Sequence, residues 1–214
     1  MPSVPAPALP ELAVPLTSPV RHADGRITAP VLVDARWLIA QRDAVRVIDT
    51  RAAASFASGH VSGSISLPLD ALLIDDSSRP ALERLAVVAR TTLGACGIAP
   101  TDHVVLLDDC DGSAALGAAI CELAGMRHVS VVQGSGIDMW RVHGGAITEG
   151  PAEAATSTAA AWVDVDSRTT SIAAFEDLID AVVDGAAVVL DVRSQLEHEG
   201  IVGAPCCAAR GAVP

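Results

Sequence analysis

Short apolar runs alternating with segments of helical spacing constrain this chain more than any other feature. Val31-Leu32-Val33, Ala44 to Asp49, His103 to Leu107 and Val129 to Val132 are almost continuous in Val, Leu and Ile. They lack the in–out alternation of a half-solvated strand, so both their faces must be covered. Between them, Ala35 to Arg42, Ala81 to Cys96 and Ser113 to Ala124 have helical length and period. Asp34 is placed to cap the first helix, Gly94 and Gly97 fall near the end of the second, and Gly125 closes the third. Buried strands alternating with helices predict an α/β fold, with a parallel sheet flanked by helices on both faces.

The chain has 214 residues, half of them apolar, enough for one large domain or two small ones. Aromatic residues make up 2%, so Ala, Val, Leu and Ile must fill the core. The formal net charge is −12, from 26 acids against 14 arginines, and there is no lysine. That balance argues against nucleic acid or an anionic membrane as partner, and a small anion would need a locally positive pocket. Five cysteines, Cys96, Cys110, Cys121, Cys206 and Cys207, follow no disulfide spacing. Cys96 and Cys121 stand among apolar helix residues and read as small core side chains. No apolar stretch has the length of a membrane span, and the proline-rich first twenty residues lack a basic leader. The expected setting is reduced and cytoplasmic.

Within this frame one pattern occurs twice. Val47-Ile48-Asp49-Thr50-Arg51 leads to Ser58-Gly59-His60-Val61-Ser62-Gly63-Ser64, and Val189-Leu190-Asp191-Val192-Arg193 repeats the opening. A strand ending in Asp-x-Arg before a Gly-His-x-x-Gly turn resembles the opening motif of the rhodanese family of sulfurtransferases. The stretch Val131 to Gly145, with Gly134, Gly136, Trp140 and Gly145, resembles that family's closing signature of strand, glycine turn and tryptophan-bearing helix. The repeat resembles the tandem thiosulfate and 3-mercaptopyruvate sulfurtransferases. The resemblance implies an arm over 1–30, a complete rhodanese-like domain over 31–147, a linker over 148–161 rich in Ala, Thr, Gly, Glu and Pro, and a partial second copy over 162–214. In the second copy, residues 171 to 183 have helical spacing and Ala186 to Leu190 reads as a buried-type strand.

Rhodanese chemistry implies a cysteine at the end of the central strand, whose thiolate attacks the donor's outer sulfur and holds it as a persulfide. Inward loop amides and a helix N-terminus would stabilise that charge. The corresponding stretch here is Asp108-Asp109-Cys110-Asp111-Gly112-Ser113, and the residue directly after the strand is Asp108. A carboxylate cannot form a persulfide, and the resemblance implies the inert first domain of a tandem enzyme. Cys110 is the one thiol within reach and a weak nucleophile candidate, because three flanking carboxylates oppose a thiolate and no arginine follows. A related phosphatase loop would need an arginine that Leu116 and Gly117 do not supply.

The remaining candidates read as structure. Asp49 and Arg51 form an internal ion pair that fixes the loop after their strand; Gly59, His60 and Gly63 form the family turn; Trp140 plugs the sheet end. Cys206, Cys207 and His198 lack ligand spacing, so no metal is expected, and no cofactor is implied. An apolar strand over 186–190 without sheet partners would invite self-association. The second copy ends before a cysteine loop is reached, so the expectation is a sulfurtransferase-family protein, inactive or impaired as the chain stands. The alternative is a non-catalytic rhodanese module for protein or anion binding. The candidate small ligand is a sulfur-containing anion.

Overall fold

The computed structural model describes residues 20–21, 27–28, 31–74, 76–152, 159–163, 165, 172–185 and 187–203. The Pro/Ala-rich arm therefore lies largely outside the described residues, as do Cys206 and Cys207. The chain divides into two compact units, the first ending at Ile172 and the second beginning at Ala173.

In the first unit β1 (Val20–Arg21) pairs with β2 (Ile27–Thr28), antiparallel. In chain order follow β3 (Leu32–Val33), α1 (Ala35–Gln41), β4 (Arg46–Asp49), α2 (Ala53–Ala57), β5 (His60–Val61), β6 (Ile65–Ser66), α3 (Arg79–Ala95), β7 (His103–Leu107), α4 (Ser113–Ala124), β8 (His128–Val132), α5 (Gly136–Val142) and β9 (Ile147–Thr148). The principal sheet is parallel throughout, in the order β3-β8-β7-β4-β6. β7 is its central strand, with Val105 in register with Val47 on one side and Ser130 on the other. β5 and β9 form a separate antiparallel pair, joining the turn after α2 to the residues after α5.

The expected α/β architecture is present, and the sheet is covered on both faces. Val47, Val105 and Leu107 point one way, into a core shared with Leu38 of α1 and Ile137 and Trp140 of α5. Ile48, Val104 and Leu106 alternate to the other face and are as deeply buried. There α4 packs directly on β7 and β8, and α3 packs on α4. Asp34 caps α1 by accepting the Trp37 amide at 2.7 Å. α3 starts earlier than its apolar spacing indicates, at Arg79, because Pro80 suits a first turn, where its missing N–H costs nothing.

In the second unit α6 (Phe175–Asp184) begins where Asp177 Oδ2 accepts the Ala174 amide at 2.8 Å, and ends at Gly185 in the left-handed region. α7 (Gln195–His198) follows. The strand expected over 186–190 is not formed across the described residues 187–190, and Val188 and Leu190 are 87% and 79% exposed. The reason is physical: a strand needs a neighbour to pair its amides, and no strand occurs among the described residues of this unit. No helix among the described residues is long and apolar enough to cross a membrane.

At the start of the sheet, His103 and His128 face each other in register, their rings 6.3 Å apart, with Trp37 5.6 Å from His103. His103 Nε2 shares a hydrogen bond with Ser130 Oγ at 2.8 Å. Burial, and then the neighbouring His128, hold His103 below its ordinary pKa. The unfolded chain therefore binds a proton that the native state refuses, so this residue's share of stability is complete above the free-histidine pKa of about 6.5 and is lost as pH falls below it. Urea unfolding between pH 7.5 and 5 should show that slope, and His103→Asn should flatten it; an unchanged slope would contradict the assignment.

Candidate functional site

The site is built where β4 and β7 end side by side. Asp49, the last residue of β4, is fully buried and grips Arg51 in a fork: Nε donates to Oδ1 at 2.9 Å and Nη2 to Oδ2 at 2.7 Å. The Arg51 amide also donates to Asp49 Oδ1 at 3.1 Å, which winds the chain tightly around the carboxylate. Arg51 Nη2 donates onward to the Gly59 carbonyl at 2.8 Å, and Nη1 lies 3.7 Å from Asp109. Burial alone disfavours the Arg51 charge, but the hydrogen bonds and charge of Asp49, with Asp109 and Asp138 beyond, outweigh it and hold the guanidinium above its ordinary pKa. Asp49 and Arg51 are thus spent on each other and on the backbone.

The loop after β7 is organised by Asp108. This side chain is 6% exposed, and its two oxygens accept from opposite ends of the loop: Oδ1 from the Cys110 amide and Oδ2 from the Ala114 amide, both at 3.0 Å. Asp111 Oδ1 accepts from the Ser113 amide at 2.9 Å, and bonds from Ser113 hold its carboxyl below the usual range. Gly112, with φ +84°, turns the chain into α4, a conformation that suits glycine. Cys110 also has a positive φ, +65°, and is exposed. Its amide is committed to Asp108. Cys121, by contrast, is buried inside α4, and desolvation, with Glu122 nearby, pushes its thiol up to about 12. Cys96 is half-buried and raised in the same direction, so neither is poised as a nucleophile.

One bond joining the two strand ends was not legible in the motif. Thr50, between Asp49 and Arg51, donates its hydroxyl to the Leu107 carbonyl at 3.0 Å, and its Oγ1 lies 2.8 Å from Ser113 Oγ. A buried threonine after a strand gives no sign in sequence of which loop it will meet. Beside this contact lies a cleft of about 360 Å³, lined by Thr50, Leu69, Asp70, Asp111, Ser113 and Leu116 among others, with no basic side chain in its described lining.

The family turn lies away from this cleft. His60 is buried, stacked on Phe56 with ring centres 3.7 Å apart, and its Nδ1 is 3.0 Å from the Phe56 carbonyl, so Nδ1 carries the proton. Gly63 turns the chain after β5, where the Ser64 amide donates to the Val61 carbonyl at 2.8 Å. Trp140 is buried at the sheet end and donates Nε1 to the Ala146 carbonyl at 2.9 Å. A Cβ on Gly145 would collide with the Trp140 ring, so this position admits only glycine.

The repeated motif folds the same way in the second unit. Arg193 donates Nε to Asp191 Oδ1 at 2.9 Å and its amide to the same oxygen at 3.1 Å, with Nη2 2.6 Å from Oδ2. Each fork is followed, after one residue, by a short helix, α2 in one unit and α7 in the other. There the pair is partly exposed, and His198 Nδ1 is the further partner of Asp191, at 3.1 Å.

The rhodanese-like domain model matches residues 34–142. Among solved structures, SseA of Escherichia coli, described as a 3-mercaptopyruvate sulfotransferase with the rhodanese fold, is 20% identical with a TM-score of 0.62; 86% of this chain and 72% of that one are covered. The 3-mercaptopyruvate sulfurtransferase of Leishmania major is 17% identical with a TM-score of 0.57, covering 79% of this chain and 48% of that one. At such identities the likeness is one of fold. A sequence comparison with curated proteins finds no match. Removing one partner of a buried pair leaves an uncompensated charge, so Asp49→Ala should cost about 3–5 kcal/mol in urea unfolding. A loss below about 1 kcal/mol, the range of an exposed pair, would show that the fork is solvent-screened.

Proposed function

The chain belongs to the rhodanese-like domain family, and from that premise we propose a protein of the tandem sulfurtransferase type whose domain over residues 31–147 carries no sulfur itself and serves as a non-catalytic, protein-binding module. One observation carries this reading: the Asp108 carboxylate accepts the Cys110 and Ala114 amides. In a working persulfide loop, inward amides stabilise the sulfur anion. Here a fixed carboxylate takes two of those donors and stands where the nucleophile would stand. A donor anion would meet Asp108, Asp109 and Asp111 at the loop, while the Arg51 guanidinium, 3.7 Å from Asp109, is already paired with Asp49. The cleft beside the loop, with Asp70 and Asp111 in its wall, is likewise unsuited to thiosulfate or 3-mercaptopyruvate.

The tandem part of the reading is supported by the repeated Asp-x-Arg fork, whose bond lengths agree in both units. Sulfur transfer by the whole protein, from a thiosulfate or mercaptopyruvate donor, would need a cysteine loop outside residues 31–147. The net charge of −12 favours a protein partner over nucleic acid or an anionic bilayer, in a reduced, cytoplasmic setting.

Intact mass spectrometry of the reduced chain tests this, after separate incubation with thiosulfate and with 3-mercaptopyruvate. The expected spectrum shows no cyanide-labile one-sulfur adduct from either donor. An adduct that disappears in Cys110→Ser would overturn the proposal and make the exposed Cys110 a displaced nucleophile.

A further inference from the structure

The exit of α3 carries a feature that the sulfurtransferase reading does not use. Gly94 lies in the last turn of this helix, and glycine is the poorest helix former other than proline. Its missing side chain has a use. A Cβ built there would lie 2.8 Å from the Ala160 carbonyl oxygen and 3.2 Å from Trp162 Cδ1. The segment 159–162 is seated in the notch that glycine leaves.

Two donors of that segment meet carbonyls at and just beyond the end of α3, those of Gly94 in its last turn and of Ile98 past it. The Ala160 amide donates to the Gly94 carbonyl at 3.0 Å, alongside the Gly97 amide at 2.9 Å, so one oxygen uses both lone pairs. Trp162 Nε1 donates to the Ile98 carbonyl at 2.9 Å, which gives a half-buried indole the partner it needs. Notch, amide and indole thus agree on one placement of the chain. Elsewhere the fit is loose: a groove of about 560 Å³ remains between the segment and Val87, Arg90 and Thr91 of α3. The hold therefore rests on a few groups at the helix exit.

We propose that the α3 exit is a docking notch whose occupant is residues 159–162 of the same chain, a strap that latches onto the domain after its closing motif. Residues 159–161, expected within the linker, and Trp162, expected to open the second copy, then belong to the domain. The strap is also releasable, because the notch and two hydrogen bonds carry it. Detaching it would open the Gly94 face of α3 to solvent.

Amide hydrogen exchange on the full chain, read for wild type, Gly94→Ala and Trp162→Ala, tests the latch. In wild type the Ala160 amide should exchange at least about tenfold more slowly than an unstructured amide, as a docked hydrogen bond requires. Gly94→Ala sets two effects against each other on separate probes. The added methyl improves the helix, so α3 amides should keep or gain protection, while the collision with the Ala160 carbonyl should return Ala160 to its intrinsic rate. Trp162→Ala should release Ala160 in the same way and leaves the helix untouched, so it serves if Gly94→Ala fails to fold. An unprotected Ala160 in wild type, or full protection in both variants, would overturn the proposal. Protection that grows with protein concentration would also overturn it, since the notch would then hold the strap of a second copy.

Discussion

A single buried carboxylate sets the form of the loop that follows the central strand. Asp108 directly follows β7, and each of its oxygens takes an amide from one limb of the loop, so the turn from strand to α4 closes around it. Hydrogen bonds to a charged acceptor are each worth about 1.5–3 kcal/mol, so two of them hold the loop firmly to this carboxylate. These two loop amides are occupied by a carboxylate of the chain itself. Ser113 and Thr50 then tie this loop to the end of β4, and Arg51 Nη1 lies 3.7 Å from Asp109. An incoming anion would have to displace a covalently attached one.

The Asp49–Arg51 fork frames the other side of the site. Its twin, Asp191–Arg193, has the same bonds in a more exposed setting, which separates what the motif encodes from what its surroundings add. The fork itself is local, since the arginine amide and side chain both turn back on a carboxylate two residues earlier. Burial and the bond to Gly59 come from the sheet and the turn around it, and these make the first pair a structural keystone.

Much of this was legible in the sequence for the same reason: the informative features are local. β7 and α4 fall where apolar runs and glycine stops place them, and the closing turn is written in Trp140 and Gly145. The misses were non-local. β6 and β9 are two-residue strands defined only by their partners. The stretch before Asp191 is apolar enough for a strand and forms none across the described residues 187–190, because composition cannot supply a neighbour. Thr50 meets Ser113 across the chain, and Gly94 looks like a helix stop until the strap that fills its notch is in view.

With Asp108 holding the loop amides, the loop should be closed to other anions. The most direct measurement is a thiosulfate titration of the reduced, isotope-labelled chain, followed through the Cys110 and Ala114 amide resonances. Neither amide should move beyond the general salt effect seen with chloride. A saturable shift at both would contradict this, because the loop would then hold a donor anion despite the carboxylate at its centre.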